Sequence, residues 1–208
     1  MKSSIPAATV ARLPVYLRCL GDLFVSQGTC SSEELAAIAG VNSAQVRKDL
    51  SFLGSPGVRG VGYNVLDLSR ELRVALGLTK GYSVAIIGIG NLGRALSNYK
   101  GFGDWGFEVA ALFDADPDKV GTAVGEFSVE SMDDLEQIVK ERNVSIGIVT
   151  VPADAAQYVA DRLVETGIRS ILNFAPIVLQ VSDNVSVRRV DLSTELPILT
   201  FLLQQSVE

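Results

Sequence analysis

One stretch constrains this chain more than any other: Tyr82-Ser-Val-Ala-Ile-Ile-Gly-Ile-Gly-Asn-Leu-Gly-Arg-Ala-Leu96. Val84 to Ile87 is an uncharged apolar run, which suits a strand covered on both faces. Gly88, Ile89, Gly90, Asn91, Leu92 and Gly93 follow at once, and Arg94, Ala95 and Leu96 can begin a helix. Strand, G-x-G-x-x-G and helix, in that order, is the context in which this motif binds a dinucleotide. Gly88 allows the tight turn, Gly90 lets backbone approach a pyrophosphate, and Gly93 lets helix and strand pack closely. The helix start offers free N–H groups and partial positive charge to the phosphates. Phe107 to Phe113 reads as a second strand, with Asp114 at its end, 21 residues after Gly93. An acid there accepts hydrogen bonds from ribose hydroxyls and repels a 2′-phosphate, favouring NAD(H) over NADP(H). The plain alternative is a glycine-rich turn with no ligand.

Downstream, strands and helices alternate. Asn98 to Asp104 reads as a Gly-rich connection, and Ser131 starts a helix running to about Arg142. Ile146 to Val151 is a third buried strand, ended by Pro152. Ala153 to Thr166 is helical with Ala156, Val159, Leu163 and Val164 inward. Ser170 to Phe174 and Val185 to Val190 are further strands. This alternation predicts an α/β fold with a doubly wound parallel sheet. Ligands sit beyond the carboxyl ends of such strands, so Thr150, Val151 and Pro152, with Asn173, Phe174, Ala175 and Pro176, should line the nicotinamide end.

The first eighty residues differ in kind. They carry a net charge of +3, against −9 for the remainder, so a polyanion would meet the front of the chain. Leu13, Leu17, Leu20 and Phe24 make one apolar helical face, which Pro14 should bend or restart and Gly28 should end. Ser31-Ser-Glu-Glu34 has capping-box form and opens a short helix that Gly40 terminates. Asn42-Ser-Ala-Gln45 starts the next, with Val46, Leu50 and Leu53 buried. Two short helices around a tight turn make a helix-turn-helix, within about residues 16–54. Ser43, Gln45, Arg47 and Lys48 lie off the apolar stripe and can reach a DNA groove. A solvated helix face is the alternative. Gly54 to Gly57 reads as a turn, and Val58 to Tyr63 as a β-hairpin wing with Arg59 at its tip, shaped for a minor groove. Asn64 caps a fourth helix to about Leu76, and Gly77 to Gly81 is a linker. The expected domains are 1–78 (winged helix), 79–191 (dinucleotide binding) and 192–208 (terminal helix).

Composition narrows the chemistry. The chain has no histidine, so the commonest general acid/base and metal ligand is missing and neither a catalytic nor a metal site is expected. Cys19 and Cys30 lack C-x-x-C spacing; core placement is the ordinary reading, a thiol switch the other. No long uncharged apolar run suggests a membrane span, and no signal-peptide pattern opens the chain, so a cytoplasmic address is expected. The tail is unusual: Leu192, Leu196, Leu199 and Leu203 form a stripe that Ile198, Phe201 and Leu202 widen. Such a helix needs burial, either against its own sheet or by exchange in a symmetric dimer.

Taken together, several stretches resemble the Rex family of redox-sensing transcriptional repressors. They are Arg12-Leu-Pro14, Tyr16-Leu-Arg18, Val46-Arg-Lys-Asp-Leu-Ser51, Gly60-Val-Gly-Tyr63, the glycine motif, Phe113-Asp114, Thr150-Val-Pro152, Ile171 to Pro176 and Val190-Asp-Leu192. The resemblance runs nearly end to end. It implies a homodimer of winged-helix and Rossmann domains with a swapped terminal helix. It also implies binding to palindromic operators of respiration and fermentation genes when NADH is scarce, and release when NADH closes the dimer, with NAD⁺ competing. By motif, Arg47, Lys48 and Arg59 would face DNA, and Gly88 to Gly93 with Asp114 would hold the dinucleotide. Arg18 and Asp191 would pair across the domain junction in one state, and Leu192 of a partner would wall the nicotinamide pocket. Two departures stand out: Phe52 where the family commonly has Tyr, and Leu192 where some relatives have an aromatic ring. Two other classes stay open: an NAD-dependent dehydrogenase, for which Tyr99 is a conceivable acid, and a CoA-binding Rossmann protein.

Overall fold

The computed structural model describes residues 5–24, 28–54 and 57–205. They form two compact units, Met1–Lys80 and Gly81–Glu208. The boundary falls inside the glycine-flanked linker expected from sequence.

In the first unit, α1 (Ala7–Phe24) runs unbroken through Pro14. Pro14 does not restart the helix: Leu13, Tyr16, Leu17 and Leu20 share one buried face, and that burial outweighs one missing hydrogen bond. The side chain of Phe24 lies outside the described residues. β1 (Thr29–Cys30) leads into α2 (Ser32–Ala39), which opens on a complete capping box between Ser31 and Glu34 and closes on Gly40 in the left-handed conformation. Asn42 caps α3 (Ser43–Ser51) by accepting from the Gln45 N–H. Val46 and Leu50 of α3 are fully buried, as is Leu35 of α2. β2 (Tyr63–Asn64) pairs antiparallel with β1, and Asn64 caps α4 (Val65–Ala75).

The second unit is built on a seven-stranded sheet in the order β5-β6-β4-β3-β7-β8-β9. The strands are β3 (Tyr82–Ile87), β4 (Phe107–Asp114), β5 (Ala123–Val124), β6 (Phe127–Ser131), β7 (Val144–Val149), β8 (Ser170–Asn173) and β9 (Ser186–Arg189). All neighbours are parallel except the edge pair β5–β6. The sheet therefore winds outwards in both directions from β3, which places a topological switch point between β3 and β7. The helices are α5 (Asn91–Ser97), α6 (Gly101–Asp104), α7 (Leu135–Glu141) and α8 (Ala153–Glu165). One face of the sheet packs Ile87, Phe113 and Val149 against α7 and α8; the other gathers Val84, Ile86, Leu112 and Ile148.

Three details differ from the sequence reading. β5 and β6 were not anticipated, although Phe127 and Val129 alternate with polar residues as an edge strand should. The connection 98–104 contains the short helix α6. The third and fourth strands end at Val149 and Asn173, so Thr150, Val151 and Phe174 stand just past them in the loops. The terminal helix α9 (Glu195–Gln205) follows a 3-10 turn at Leu192–Thr194. Its apolar side chains are exposed, among them Leu199 at 55% and Leu203 at 66%. It is therefore not buried on its own sheet.

Candidate dinucleotide crevice and nucleic-acid face

The crevice is assembled from the loops after β3, β4 and β7. Gly88 takes a φ of 97°, and a Cβ there would lie 2.6 Å from Val151 and 2.9 Å from the Thr150 carbonyl oxygen. A Cβ on Gly93 would lie 2.1 Å from the Gly88 carbonyl oxygen. Those two glycines are thus required by the protein's own packing. Gly90 is different: its φ is ordinary, and a Cβ there would meet nothing within 4 Å. Space is kept open above the only glycine of the motif that the fold does not itself demand. No side chain caps α5, so the amides at its start remain available to an anion. Asn91 and Leu92 are exposed at this end, while the Ile89 side chain is buried in the core and offers only its backbone. A pyrophosphate fits this cradle.

The neighbouring side chains mostly serve the loop. Thr150 donates its hydroxyl to the carbonyl oxygens of Ile87 (3.0 Å) and Gly88 (2.7 Å), tying the β7 loop to the glycine turn. Asn173 is 1% exposed; its amide donates to the carbonyls of Ala175 and Ile177 and accepts from the Ala175 N–H. It shapes the Phe174–Pro176 turn, and its side chain is committed to that loop's own backbone. Val151 and Phe174 are half-buried, Pro152 and Pro176 exposed, and Ala175 buried.

Asp114 also departs from the sequence expectation. One carboxylate oxygen accepts from the Ile89 N–H (2.7 Å) and from Lys119 (3.1 Å), the other from the Asp116 N–H (2.9 Å). Burial opposes its charge, but these backbone N–H groups and Lys119 overcome it and hold the pKa below the usual carboxylate value. Three of about four acceptor positions are filled, so Asp114 braces the glycine turn and keeps at most one position for a ribose.

In the first unit, α3 and the hairpin flank a cleft of about 830 Å³, lined in part by Ser32, Glu33, Arg47, Arg59 and Tyr63. Val58 and Gly62 exchange two backbone hydrogen bonds of 2.8 Å, and Gly60 and Gly62 both take positive φ, which closes the tight hairpin. Arg59 is exposed at its tip and lines this cleft with Arg47 and Ser51 of α3, and Lys48 of α3 is exposed as well. The preceding turn at Ser55 and Pro56 lies outside the described residues. Arg47 is also exposed but donates to Ser32 (2.8 Å) and Glu33 (3.0 Å). An exposed pair of this kind is worth about 0–1 kcal/mol, so a phosphate or guanine can displace it. Ser43 is half-buried.

Sequence reasoning assigned no role to Asp49. It is fully buried and accepts from Thr9 (2.9 Å), Arg12 (2.6 and 2.9 Å), Tyr16 (2.8 Å) and Gln45 (2.9 Å). The signal was present: Asp49 falls in the apolar stripe of Val46, Leu50 and Leu53, where an acid is unexpected. Of the remaining expected switch residues, Arg18 is exposed and pairs with no carboxylate among the described residues. Asp191 binds Arg189 and Ser193 of its own unit. Tyr99 is half exposed, edge-on to Phe102. Both cysteines are buried and free, and burial pushes Cys30 up to about 11.

Residues 4–51 match a family described as "Putative DNA-binding protein N-terminus", and residues 79–177 match the CoA binding domain family. The redox-sensing transcriptional repressor Rex of Streptomyces griseus is 59% identical over 198 residues, covering 95% of this chain and 78% of that protein. The chain belongs to the Rex family of redox-sensing transcriptional repressors. Two crystal structures of RSP, a Rex-family repressor, superpose on nearly all of this Rex-family chain. The complex with β-NADH has a TM-score of 0.89 at 38% identity, covering 98% of this chain and 96% of RSP. The complex with β-NAD⁺ and operator DNA has a TM-score of 0.90 at 39% identity, covering 98% and 94%. The family resemblance stated from motifs thus holds across both units of this Rex-family chain.

Proposed function

We propose that this chain represses transcription by holding operator DNA with α3 and the Arg59 hairpin, and that the dinucleotide in the Gly88–Gly93 crevice decides whether it holds on. The observation that carries this is the likeness over 98% of the chain to a repressor crystallised both with NADH and with NAD⁺ plus operator. NADH is the releasing form and NAD⁺ its competitor. The oxidised ring carries a positive charge and the reduced ring does not. Half-buried Phe174 and Val151 offer that ring an apolar wall, where desolvating a charge costs more. Gly90 supplies the approach to the phosphates, and Lys48, Arg47 and Arg59 supply phosphate and base contacts.

The operative species is a homodimer, because α9 leaves an uncharged apolar surface uncovered from Pro197 to Leu203, and a second copy supplies a matching cover. In that dimer Arg18 pairs with Asp191, and Leu192 and Tyr99 lie at the shared surface. The domains divide as 1–78, 79–191 and 192–208, and the protein acts in the cytoplasm. It turns over neither NADH nor DNA and holds no metal.

The test is operator affinity measured by fluorescence anisotropy at fixed salt. Saturating NADH should weaken it about tenfold or more, a coupling within the ordinary allosteric range, and NAD⁺ should restore it. An NADH titration that leaves affinity unchanged would overturn the switch. The match to the CoA binding domain family favours one rival. Calorimetry with coenzyme A and NADH separates the two, since the repressor reading requires NADH to bind in the presence of excess coenzyme A. Steady consumption of NADH with an oxo acid would instead make the chain an enzyme.

A further inference from the structure

Asp49 sits where α1 and α3 meet, without solvent access, and its two oxygens receive five donated hydrogen bonds. Burial opposes its ionisation; donors from Arg12, Tyr16, Thr9 and Gln45 more than compensate, so its pKa falls to about 2. An ionised carboxylate only accepts. The Gln45 amide that meets it at 2.9 Å must therefore present its nitrogen inwards. The reverse orientation would set two lone-pair oxygens against each other in a buried place and leave the carboxylate oxygen without that donor. One face of the Gln45 amide is thus fixed by chemistry.

What remains for the groove is the Gln45 Oε1 acceptor and the second N–H. Gln45 is half-buried and stands in the first turn of α3, the end of a recognition helix that contacts base edges. Adenine offers an N6 donor beside an N7 acceptor in the major groove, whereas guanine offers two acceptors there. We propose that Asp49 is a positioning residue for sequence recognition: by locking the Gln45 amide one way round, it makes Gln45 a reader of adenine and a rejector of guanine. This rests on the reading that Gln45 faces DNA. Because the side chain is ordered before DNA arrives, less rotamer entropy is lost on binding.

The test uses the full-length protein and a duplex selected for tight binding from a randomised pool, with each A·T pair of one half-site changed in turn to G·C. Wild type should lose at least about tenfold in affinity at one position, the loss expected for a bidentate contact. Gln45→Ala should flatten that position alone. Asp49→Asn, whose amide can face Gln45 with either oxygen or nitrogen, should remove most of the discrimination at the same position. Tyr16→Phe, which removes one donor and keeps the carboxylate, should preserve it. No change at any position in Gln45→Ala would sink the DNA-facing reading of Gln45. A change in Gln45→Ala with none in folded Asp49→Asn would sink the role of Asp49 alone. Should Asp49→Asn fail to fold, the wild-type protein still decides by nuclear magnetic resonance. One Gln45 side-chain N–H protected from exchange supports the lock, and two fast-exchanging N–H protons overturn it.

Discussion

At the scale of single residues, the glycine motif separates what the fold needs from what a ligand needs. Gly88 and Gly93 are hemmed in by Thr150, Val151 and the loop's own backbone, whereas Gly90 faces open space. Gly90→Ala should leave the thermal midpoint within a few degrees of wild type but weaken NADH binding by about tenfold or more, equivalent to about 1.4 kcal/mol. Gly93→Ala should lower the midpoint itself, because a Cβ at 2.1 Å from a backbone oxygen forces the turn apart. Scanning calorimetry and NADH titration on both variants check this; equal NADH affinity in Gly90→Ala would mean that no phosphate approaches there. The buried carboxylate gives a second residue-scale expectation. Asp49 is held at about 2, below its value of about 3.9 in an unfolded chain. Its folded pKa is depressed, so its stabilising share is present above about pH 4 and is lost as pH falls towards 2, about 2–3 kcal/mol in all. Tyr16, raised to about 12 by burial and then by Asp49, acts in the opposite sense: its share is present below about pH 10 and is lost as pH rises towards 12. Cys30, raised to about 11 by burial, begins to lose its share above about pH 9 in the same sense. Melting of the first unit should therefore plateau between about pH 4 and about pH 9, and Asp49→Asn should remove the acid arm of the profile.

At the scale of elements, the parts speak with different independence. The capping box of α2, the Asn42 cap of α3 and the Asn64 cap of α4 are local chemistry and appear where the sequence places them. α1 ignores Pro14 because a whole face of leucines and Tyr16 is buried along it. α9 is the element that its own chain does not satisfy. Leu196, Leu199, Phe201 and Leu203 are each more than half exposed, and a continuous apolar surface of that kind marks an interaction site. If α9 joins two copies as proposed, Leu199→Glu with Leu203→Glu should leave a monomer in sedimentation at micromolar concentration where the wild type sediments as a dimer, with the circular dichroism spectrum largely kept. An unchanged sedimentation coefficient would exclude α9 from the dimer contact.

At the scale of the molecule, two units of opposite charge balance share one chain. The cationic unit carries the hairpin and α3; the anionic unit carries the crevice at the switch point. Neither unit contains a histidine. The operator experiment above belongs to this scale, since it alone measures whether occupancy of one unit changes the grip of the other.

The sequence by itself determined the local and periodic parts. Apolar runs declare buried strands, caps declare helix starts, and the G-x-G-x-x-G spacing after a strand declares a dinucleotide turn, because each of these depends on neighbours a few residues away. The edge strands β5 and β6 were legible in principle from the alternation of Phe127 and Val129. Only the tertiary structure decided the rest. That Asp114 turns inwards to the Ile89 N–H, that Thr150 laces the β7 loop to the glycine turn, and that Asp49 draws Thr9, Arg12, Tyr16 and Gln45 together depend on partners 25 to 63 residues apart in most cases. Hydrogen-bonding groups are directional and short-ranged, so a residue's type fixes what it can bind, while the packing of distant elements fixes which partner it meets.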